Sequence, residues 1–372
     1  MTVGWHRPTK LIIDTQAITE NVLNEVKRLP EETELFAVVK ANGYGHGAVP
    51  TAKAAIKGGA TGFCVALLDE AIELREAGIK GPILILGVVD VSYIDLLVKY
   101  DLSVTVTSQE WLEQAVNQLE QLENVQPLKI HIKVDTGMGR IGFKTVHETK
   151  KAVELVQLSE QMIWEGIFTH FSTADKKDQA YFNKQNQRFQ NVLTELAELP
   201  RYVHVSNSAT ALWHPENAGN MIRFGIAMYG LNPSGHELEA SYPLKPALSL
   251  VSELIHVKEL SANEGIGYGK TYTTSKNEWI GTIPIGYADG WLRHLQGFSV
   301  LVDGKECEIV GRICMDQCMI RLPEQKTAGT KVTLIGKNGD KEITMQDVAD
   351  KLDTIHYEVA CTFSERIPRE YR

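Results

Sequence analysis

Leu35-Phe36-Ala37-Val38-Val39-Lys40-Ala41-Asn42-Gly43-Tyr44-Gly45-His46-Gly47 is the stretch on which the reading of this chain turns. Five apolar residues read as a buried strand that ends in a lysine, and three alternating glycines follow. A lysine at a strand end loses solvation, so its pKa falls and a neutral, nucleophilic amine becomes accessible. Such an amine forms Schiff bases with carbonyl compounds, pyridoxal phosphate among them. The glycines let the backbone turn tightly beside a ligand, and the Tyr44 hydroxyl is a candidate partner for a phosphate oxygen. The competing reading is a lysine that snorkels off a strand edge over a glycine-rich turn. Partners elsewhere must decide.

Working outward, the same rhythm recurs. Apolar runs at residues 62–66, 82–86, 102–106, 129–134, 164–169 and 202–205 follow the one at 35–39. Between them lie helix-like segments at 69–77, 109–122, 146–158 and 179–198. Strands alternating with helices over many units imply a parallel sheet. A count near eight predicts an α/β fold built as an eight-stranded (β/α)8 barrel, with an open doubly wound sheet as the alternative. In such barrels the active site lies at the carboxyl ends of the strands. Lys40, the turn after Val134, His170 and Asn207-Ser208 each follow an apolar run directly, which brings all four to one mouth.

Beyond about residue 231 the texture changes. Asn232-Pro233-Ser234-Gly235 is a turn-rich break. Short β-branched segments then dominate, at 248–257, 279–285, 299–302, 308–310, 318–322 and 331–335. The turns Asp303-Gly304 and Asn338-Gly339 are hairpin signals. One amphipathic helix is expected at 344–352. The division is thus a barrel over residues 1–240, its N-terminal strand returning toward the second domain, and a mostly β C-terminal domain over 241–372.

The chain of 372 residues carries 38 positive and 47 negative side chains, a net −9, and no long basic run. That argues against nucleic acid or an anionic membrane as partner. The start of the chain lacks the apolar centre of a secretory signal. No apolar run approaches the roughly 20 residues that span a bilayer, so a cytoplasmic protein is expected. Five cysteines, an odd number, point to reduced thiols. Cys314 and Cys318 lack a nearby His or Cys pair, and no metal is expected.

Other constellations carry chemistry. Val134-Asp135-Thr136-Gly137-Met138-Gly139-Arg140 ends a strand with glycines and an arginine suited to clamp a carboxylate, or to pair with a structural acid. Met221-Ile222-Arg223-Phe224-Gly225-Ile226-Ala227-Met228-Tyr229-Gly230 places one charge in an apolar, glycine-containing run, where it must find a partner or face water. It is a candidate for a cofactor's pyridine nitrogen, and the Gly225 and Ile226 amides for a phosphate; a structural ion pair competes. His170 is a candidate to stack on a ring, or a hydrogen-bonded core histidine. Gly265-Ile266-Gly267-Tyr268-Gly269 exposes a tyrosine that can serve as acid or base, or simply make a turn.

Taken together, these motifs, with Pro284-Ile285-Gly286-Tyr287-Ala288-Asp289-Gly290 and Cys314-Met315-Asp316, resemble the alanine racemase family from the first strand to the carboxyl terminus. The resemblance implies a pyridoxal 5'-phosphate enzyme, an isomerase that interconverts L- and D-alanine and supplies D-alanine for the bacterial cell wall. Lys40 would carry the cofactor and act as base on the D-enantiomer, and Tyr268 on the L-enantiomer. In the family this tyrosine comes from the second subunit, which implies a homodimer with shared active sites. Tyr44, Ser208, Gly225, Ile226 and Tyr357 would hold the phosphate, with Asn207 beside them. Arg223 would face the pyridine nitrogen, and His170 would neighbour the ring.

Arg140 and Met315 would orient the substrate carboxylate, supported by Cys314, Asp316 and Lys133, the last a possible carbamate. Asp175, Tyr287, Arg293, Arg312 and Ile355 match the family's access corridor and inner gate. An arginine rather than a carboxylate at position 223 disfavours protonation of the pyridine ring, because a guanidinium does not readily give up its proton. That would limit transamination. Rivals are a racemase of the same fold acting on serine, lysine or several amino acids, a barrel decarboxylase expected to be acidic at position 223, and a non-catalytic pyridoxal-phosphate carrier.

Overall fold

The computed structural model describes residues 2–123, 125–217 and 219–372. It divides into two compact units: Gln16–Gly43 with Gly47–Lys245, and Met1–Thr15 with Tyr44–His46 and Pro246–Arg372.

The first unit is the barrel. Its strands are Glu34–Val38, Gly62–Val65, Ile83–Ile85, Ser103–Val106, Leu128–Lys133, Met162–Phe168, Tyr202–His204 and Met221–Phe224. Each pairs in parallel with its neighbour, and the first pairs with the eighth. Between the seventh and eighth the ladder gives way to scattered bonds, among them Asn220 N to Val203 O at 3.1 Å and Arg223 N to Ser206 O at 3.1 Å, so the barrel is nearly closed. Most of these strands are buried along their whole length, as helices covering one face and a packed lumen on the other require. The lumen is polar in places. His131, Lys133, Glu165, His204 and Arg223 are all buried there.

The helices start where side chains satisfy their first amides. Ser108 Oγ accepts from Trp111 N at 3.3 Å, and Thr145 and Glu148 form a reciprocal cap around helix Val146–Leu158. The eighth strand, Met221–Phe224, was legible only as an apolar run with a charge in it. It is a full barrel strand whose arginine points into the lumen.

The second unit is mostly β. Its main sheet runs Lys305–Glu308, Ser299–Val302, Lys331–Asn338, Leu248–Glu253, Lys10–Ile13, Arg369–Tyr371, with Lys341–Ile343 paired to Lys331–Asn338. The N-terminal strand Lys10–Ile13 thus lies between two strands from the far end of the chain. A second sheet joins His256–Leu260, Glu278–Ile283 and Cys318–Leu322.

Three expectations are corrected here. The run 248–257 is two strands. At Leu254 and Ile255 the chain bonds first to Thr330 O and then to Thr282 O, and so passes from one sheet to the other. The strand expected at 308–310 is Lys305–Glu308 instead. The turn Asp303-Gly304 pairs Val302 with Lys305 and fixes that register, with both turn residues at positive φ (47° and 73°). Likewise Asn338 pairs with Lys341, so the second hairpin turns on Gly339-Asp340. A helix His356–Thr362 follows Met345–Lys351; only the latter was expected.

Candidate active site

Immediately after the first barrel strand the chain makes a short left-handed turn. Ala41, Asn42 and Gly43 have φ of 51°, 51° and 60°. For L-residues this costs about 1–2 kcal/mol each, less for asparagine and little for glycine. Four hydrogen bonds of about 1 kcal/mol each offset it. They are Gly43 N to Val39 O (2.8 Å), Gly47 N to Asn42 O (2.8 Å), Ala48 N to Asn42 Oδ1 (2.9 Å) and Ala41 N to Glu70 Oε1 (2.6 Å). Glu70 also accepts from Ala66 N at 2.7 Å and Leu67 N at 3.1 Å. The outcome is a lysine fixed at a strand end by backbone strain and a carboxylate. Glu70 carried no signal in the sequence beyond its place near the start of a helix.

The strand-end residues of the barrel gather around Lys40. Lys133 closes the fifth strand, buried, with Nζ donating to Val134 O at 2.6 Å. Burial, then the charge of Arg223, lowers its pKa to about 7; Asp135 opposes this and Arg140 adds to it. His170 is held well below its ordinary value by burial and by Arg223, Arg140, Lys133 and Lys40. It is a neutral imidazole among cations. Arg223 itself is buried, and burial lowers its pKa to about 10, which leaves it charged at neutral pH. It donates to Thr169 O at 3.0 Å, Val205 O at 3.1 Å and His204 Nδ1 at 2.6 Å. Buried Cys64 lies in the same field, its thiol pushed up to about 12 by burial.

An anion cradle stands beside Arg223. Ser208 Oγ accepts from Gly225 N at 2.9 Å and Ala227 N at 3.4 Å, which leaves its own proton to donate. Asn207 caps helix Ser208–Trp213 through Thr210 N at 3.0 Å and donates Nδ2 toward His170 Nε2 at 3.4 Å. Ile226 begins the turn that follows Gly225.

The Arg140 loop is shaped by Asp135 within the motif and by Tyr181 and Arg188 outside it. Asp135 accepts from Gly137 N and Gly139 N, both at 3.0 Å. Burial resists its ionisation, but these amides with Lys133 and Lys144 hold it below the usual range. Tyr181 donates to Gly137 O at 2.7 Å and Arg188 to Thr136 O at 2.8 Å. Arg140 is exposed, and Asp175 is partly buried in this unit.

The other expected site residues belong to the second unit. There Tyr44 and Tyr357 lie with ring centroids 6.3 Å apart. Tyr268 is 72% exposed, on a turn between Gly267 and Gly269, both at positive φ. Arg312 packs under that turn. A Cβ at Gly269 would stand 3.1 Å from its guanidinium, and one at Gly267 would stand 3.2 Å from its amide. Cys314 O and Met315 O accept from Tyr287 N and Ala288 N, each at 3.1 Å. A Cβ at Gly286 would meet those oxygens at 2.3 and 2.4 Å. Asp316 pairs with Arg366 at 2.7 Å. Arg293 opens a short helical turn, and Ile355, 58% exposed, precedes helix His356–Thr362.

Among the described residues no group of three or more His, Cys, Asp or Glu could hold a metal ion, and no helix is long and apolar enough to cross a membrane. The residues present fit pyridoxal phosphate: a strand-end lysine, a serine and backbone amides for a phosphate, and a buried guanidinium.

Residues 13–233 match the profile of the alanine racemase N-terminal domain, and 247–371 that of the alanine racemase C-terminal domain. The chain is 57% identical over 373 residues to an alanine racemase from Ligilactobacillus salivarius, covering both chains fully. A crystal structure of alanine racemase from E. faecalis superposes with a TM-score of 0.99 at 72% identity, again covering both chains fully. A histidine racemase from Leuconostoc mesenteroides subsp. sake superposes with a TM-score of 0.93 at 33% identity, covering 100% of this chain and 99% of that one. By these matches over its whole length, the chain belongs to the alanine racemase family.

Proposed function

We propose that the chain is a pyridoxal-phosphate-dependent isomerase that interconverts L- and D-alanine by proton exchange at Cα, using one base on each face. The supporting observation is the strained turn that presents Lys40 at the barrel mouth, with the Ser208–Gly225 cradle and Arg223 in the same unit.

Pyridoxal phosphate, when bound, supplies an electron sink that acidifies the Cα–H of an amino acid joined to it. Lys40 would hold it through Nζ and move a proton on one face of Cα. Tyr268 of the partner subunit would move a proton on the other face, so the substrate need not rotate. Ser208, Gly225, Ile226, Tyr44 and Tyr357 would bind the phosphate, and Asn207 and His170 would flank the ring. Arg223 would face the ring nitrogen and keep it unprotonated, which favours return of the proton to Cα over transamination. Arg140 would clamp the substrate carboxylate with help from the Met315 amide. A carbamate on Lys133 would be an anion able to align Arg140. Tyr287, Arg293, Arg312, Ile355 and Asp175 would screen what enters.

The turn that carries Tyr268 is exposed on one chain, as a base delivered to a second subunit requires, and this supports a homodimer with shared sites. The histidine racemase of the same fold shows that this architecture accommodates more than one side chain. A panel of L-alanine, L-serine, L-lysine and L-histidine with the purified protein, read by chiral chromatography, tests the substrate assignment. Racemisation fastest with alanine is expected. A clear preference for another amino acid would move the substrate, and no turnover by cofactor-loaded protein would favour the carrier reading.

A further inference from the structure

A chain of hydrogen bonds runs through the barrel lumen away from the site. Arg223 Nη1 lies 2.6 Å from His204 Nδ1, and His204 Nε2 lies 2.9 Å from His131 Nδ1. His131 Nε2 lies 3.0 Å from Glu165 Oε2, and Ser103 Oγ donates to that same oxygen at 2.5 Å. All five side chains are buried. Glu165, at the far end, borders a surface cleft with Arg75, Asp101, Lys129 and Arg201.

Donor and acceptor chemistry leaves one protonation pattern. A guanidinium has no acceptor, so His204 must offer Arg223 the lone pair of Nδ1. A neutral His204 then carries its proton on Nε2 and donates to Nδ1 of His131. His131 in turn carries its proton on Nε2 and donates to the carboxylate. Every bond points from the cation to Glu165. The opposite tautomers would set an N–H of His204 against an N–H of Arg223. Burial and the charge of Arg223 keep His204 neutral.

The surroundings are shaped to this chain. A Cβ at Gly166 would fall 2.3 Å from His131 Nδ1, so only glycine lets the two strands close there. The strand register shifts between Ile130 and His131 at the same level. Phe168 lies flat on His204, centroids 4.6 Å apart at 6°, and Tyr202 stacks on His131 at 5.9 Å.

We propose that Glu165 is a positioning residue for Arg223: by accepting from His131 Nε2 it anchors the far end of the chain and holds both imidazoles in place, so the guanidinium meets a lone pair. This deepens, and rests on, the reading that Arg223 faces the cofactor's ring nitrogen. Leucine at 165 removes the acceptor and strands the buried Nε2–H of His131; exchanging tautomers cannot relieve it, because His204 would then set an N–H against Arg223, so the rings shift instead. Glutamine keeps an oxygen that can accept from both His131 and Ser103.

The test uses the loaded enzyme labelled with 15N-histidine, with E165Q and E165L beside the wild type. Long-range proton–nitrogen correlation spectra report which ring nitrogen is protonated, and cofactor absorbance and alanine kinetics are read on the same samples. In wild type and E165Q, His131 and His204 are expected as neutral Nε2–H tautomers. In E165L, both histidines keep those tautomers, the Nε2–H proton of His131 loses its hydrogen-bonded chemical shift and the cofactor band shifts, while kcat falls about ten-fold, KM changes less than about two-fold, and E165Q stays within about three-fold of wild type. Wild-type His204 protonated at Nδ1 overturns the proposal without any variant, so E165L need not fold. Exchanged tautomers in E165L overturn it as well, and so do wild-type absorbance and kcat in that variant. Arg223→Lys separates the underlying reading: if that substitution leaves cofactor absorbance unchanged, Arg223 does not face the ring nitrogen, whatever the histidines do.

Discussion

Arg7 grips Asp289 with two parallel hydrogen bonds, Nη1 to Oδ2 at 2.9 Å and Nη2 to Oδ1 at 2.6 Å, and the carboxylate is fully buried. The same carboxylate accepts from Gly286 N at 3.1 Å, so an arginine near the start of the chain shapes the loop that carries Tyr287. Among the described residues, Arg366 at 3.6 Å would be the cation left beside Asp289 if Arg7 were lost. Breaking a buried pair from one side typically costs 3–5 kcal/mol, so Arg7→Ala should destabilise the protein by about 3 kcal/mol, offset in part by Arg366. Denaturant unfolding at fixed protein concentration measures it. A loss below about 1 kcal/mol would show that Arg366 replaces the contact.

Tyr268→Phe retains the exposed ring and removes only the hydroxyl. Cofactor absorbance should persist while racemisation falls by about 10²–10⁴-fold, the usual worth of a positioned proton-transfer group. Undiminished turnover would remove Tyr268 from the reaction.

Burial lowers the Lys133 pKa to about 7, so its neutral amine, the only form that can add carbon dioxide, is accessible near neutral pH. Its carbamate fraction should therefore rise as pH rises through 7, opposite to a group whose reactive form is protonated. Protein stripped of bicarbonate should lose activity and regain it on addition, more completely above pH 7 than below. Lys133→Met should show no such response. Mass spectrometry under native conditions reads the added carboxyl directly, and its absence at high bicarbonate would exclude the modification.

Glu70 braces the strained turn after Lys40 through the Ala41 amide. Glu70→Ala leaves that turn's left-handed residues with one support fewer, together with two unpaired amides at the helix start. A stability loss of about 2 kcal/mol is expected, with faster cofactor release on dialysis. Retained stability and cofactor would mean that the Asn42 bonds and the one from Gly43 N to Val39 O hold the turn without Glu70.

The barrel was readable because its strands are largely buried along their length, so the first seven appear as apolar runs within a residue or two of their true ends, while the eighth lies inside a longer apolar run. Lys40, Arg140, His170 and Asn207-Ser208 were findable because they follow those runs. What failed to show were residues that act on the backbone or on each other across long separations. Glu70 reads as an ordinary helix acid, and Arg7 reads as part of a featureless arm. His131 and His204 did leave a trace, since each interrupts an apolar strand at an inward position. The switch at Leu254 and Ile255 left none, because residues on either side of it are equally β-branched or apolar.

The most direct test of the two-base account follows purified, cofactor-loaded protein in deuterated water from L-alanine and, separately, from D-alanine. The account predicts that product of the opposite hand appears from both directions carrying deuterium at Cα, and that both mixtures converge on equal enantiomers. Product that keeps its original Cα hydrogen would contradict exchange between two bases, and no interconversion of alanine at all would contradict the function.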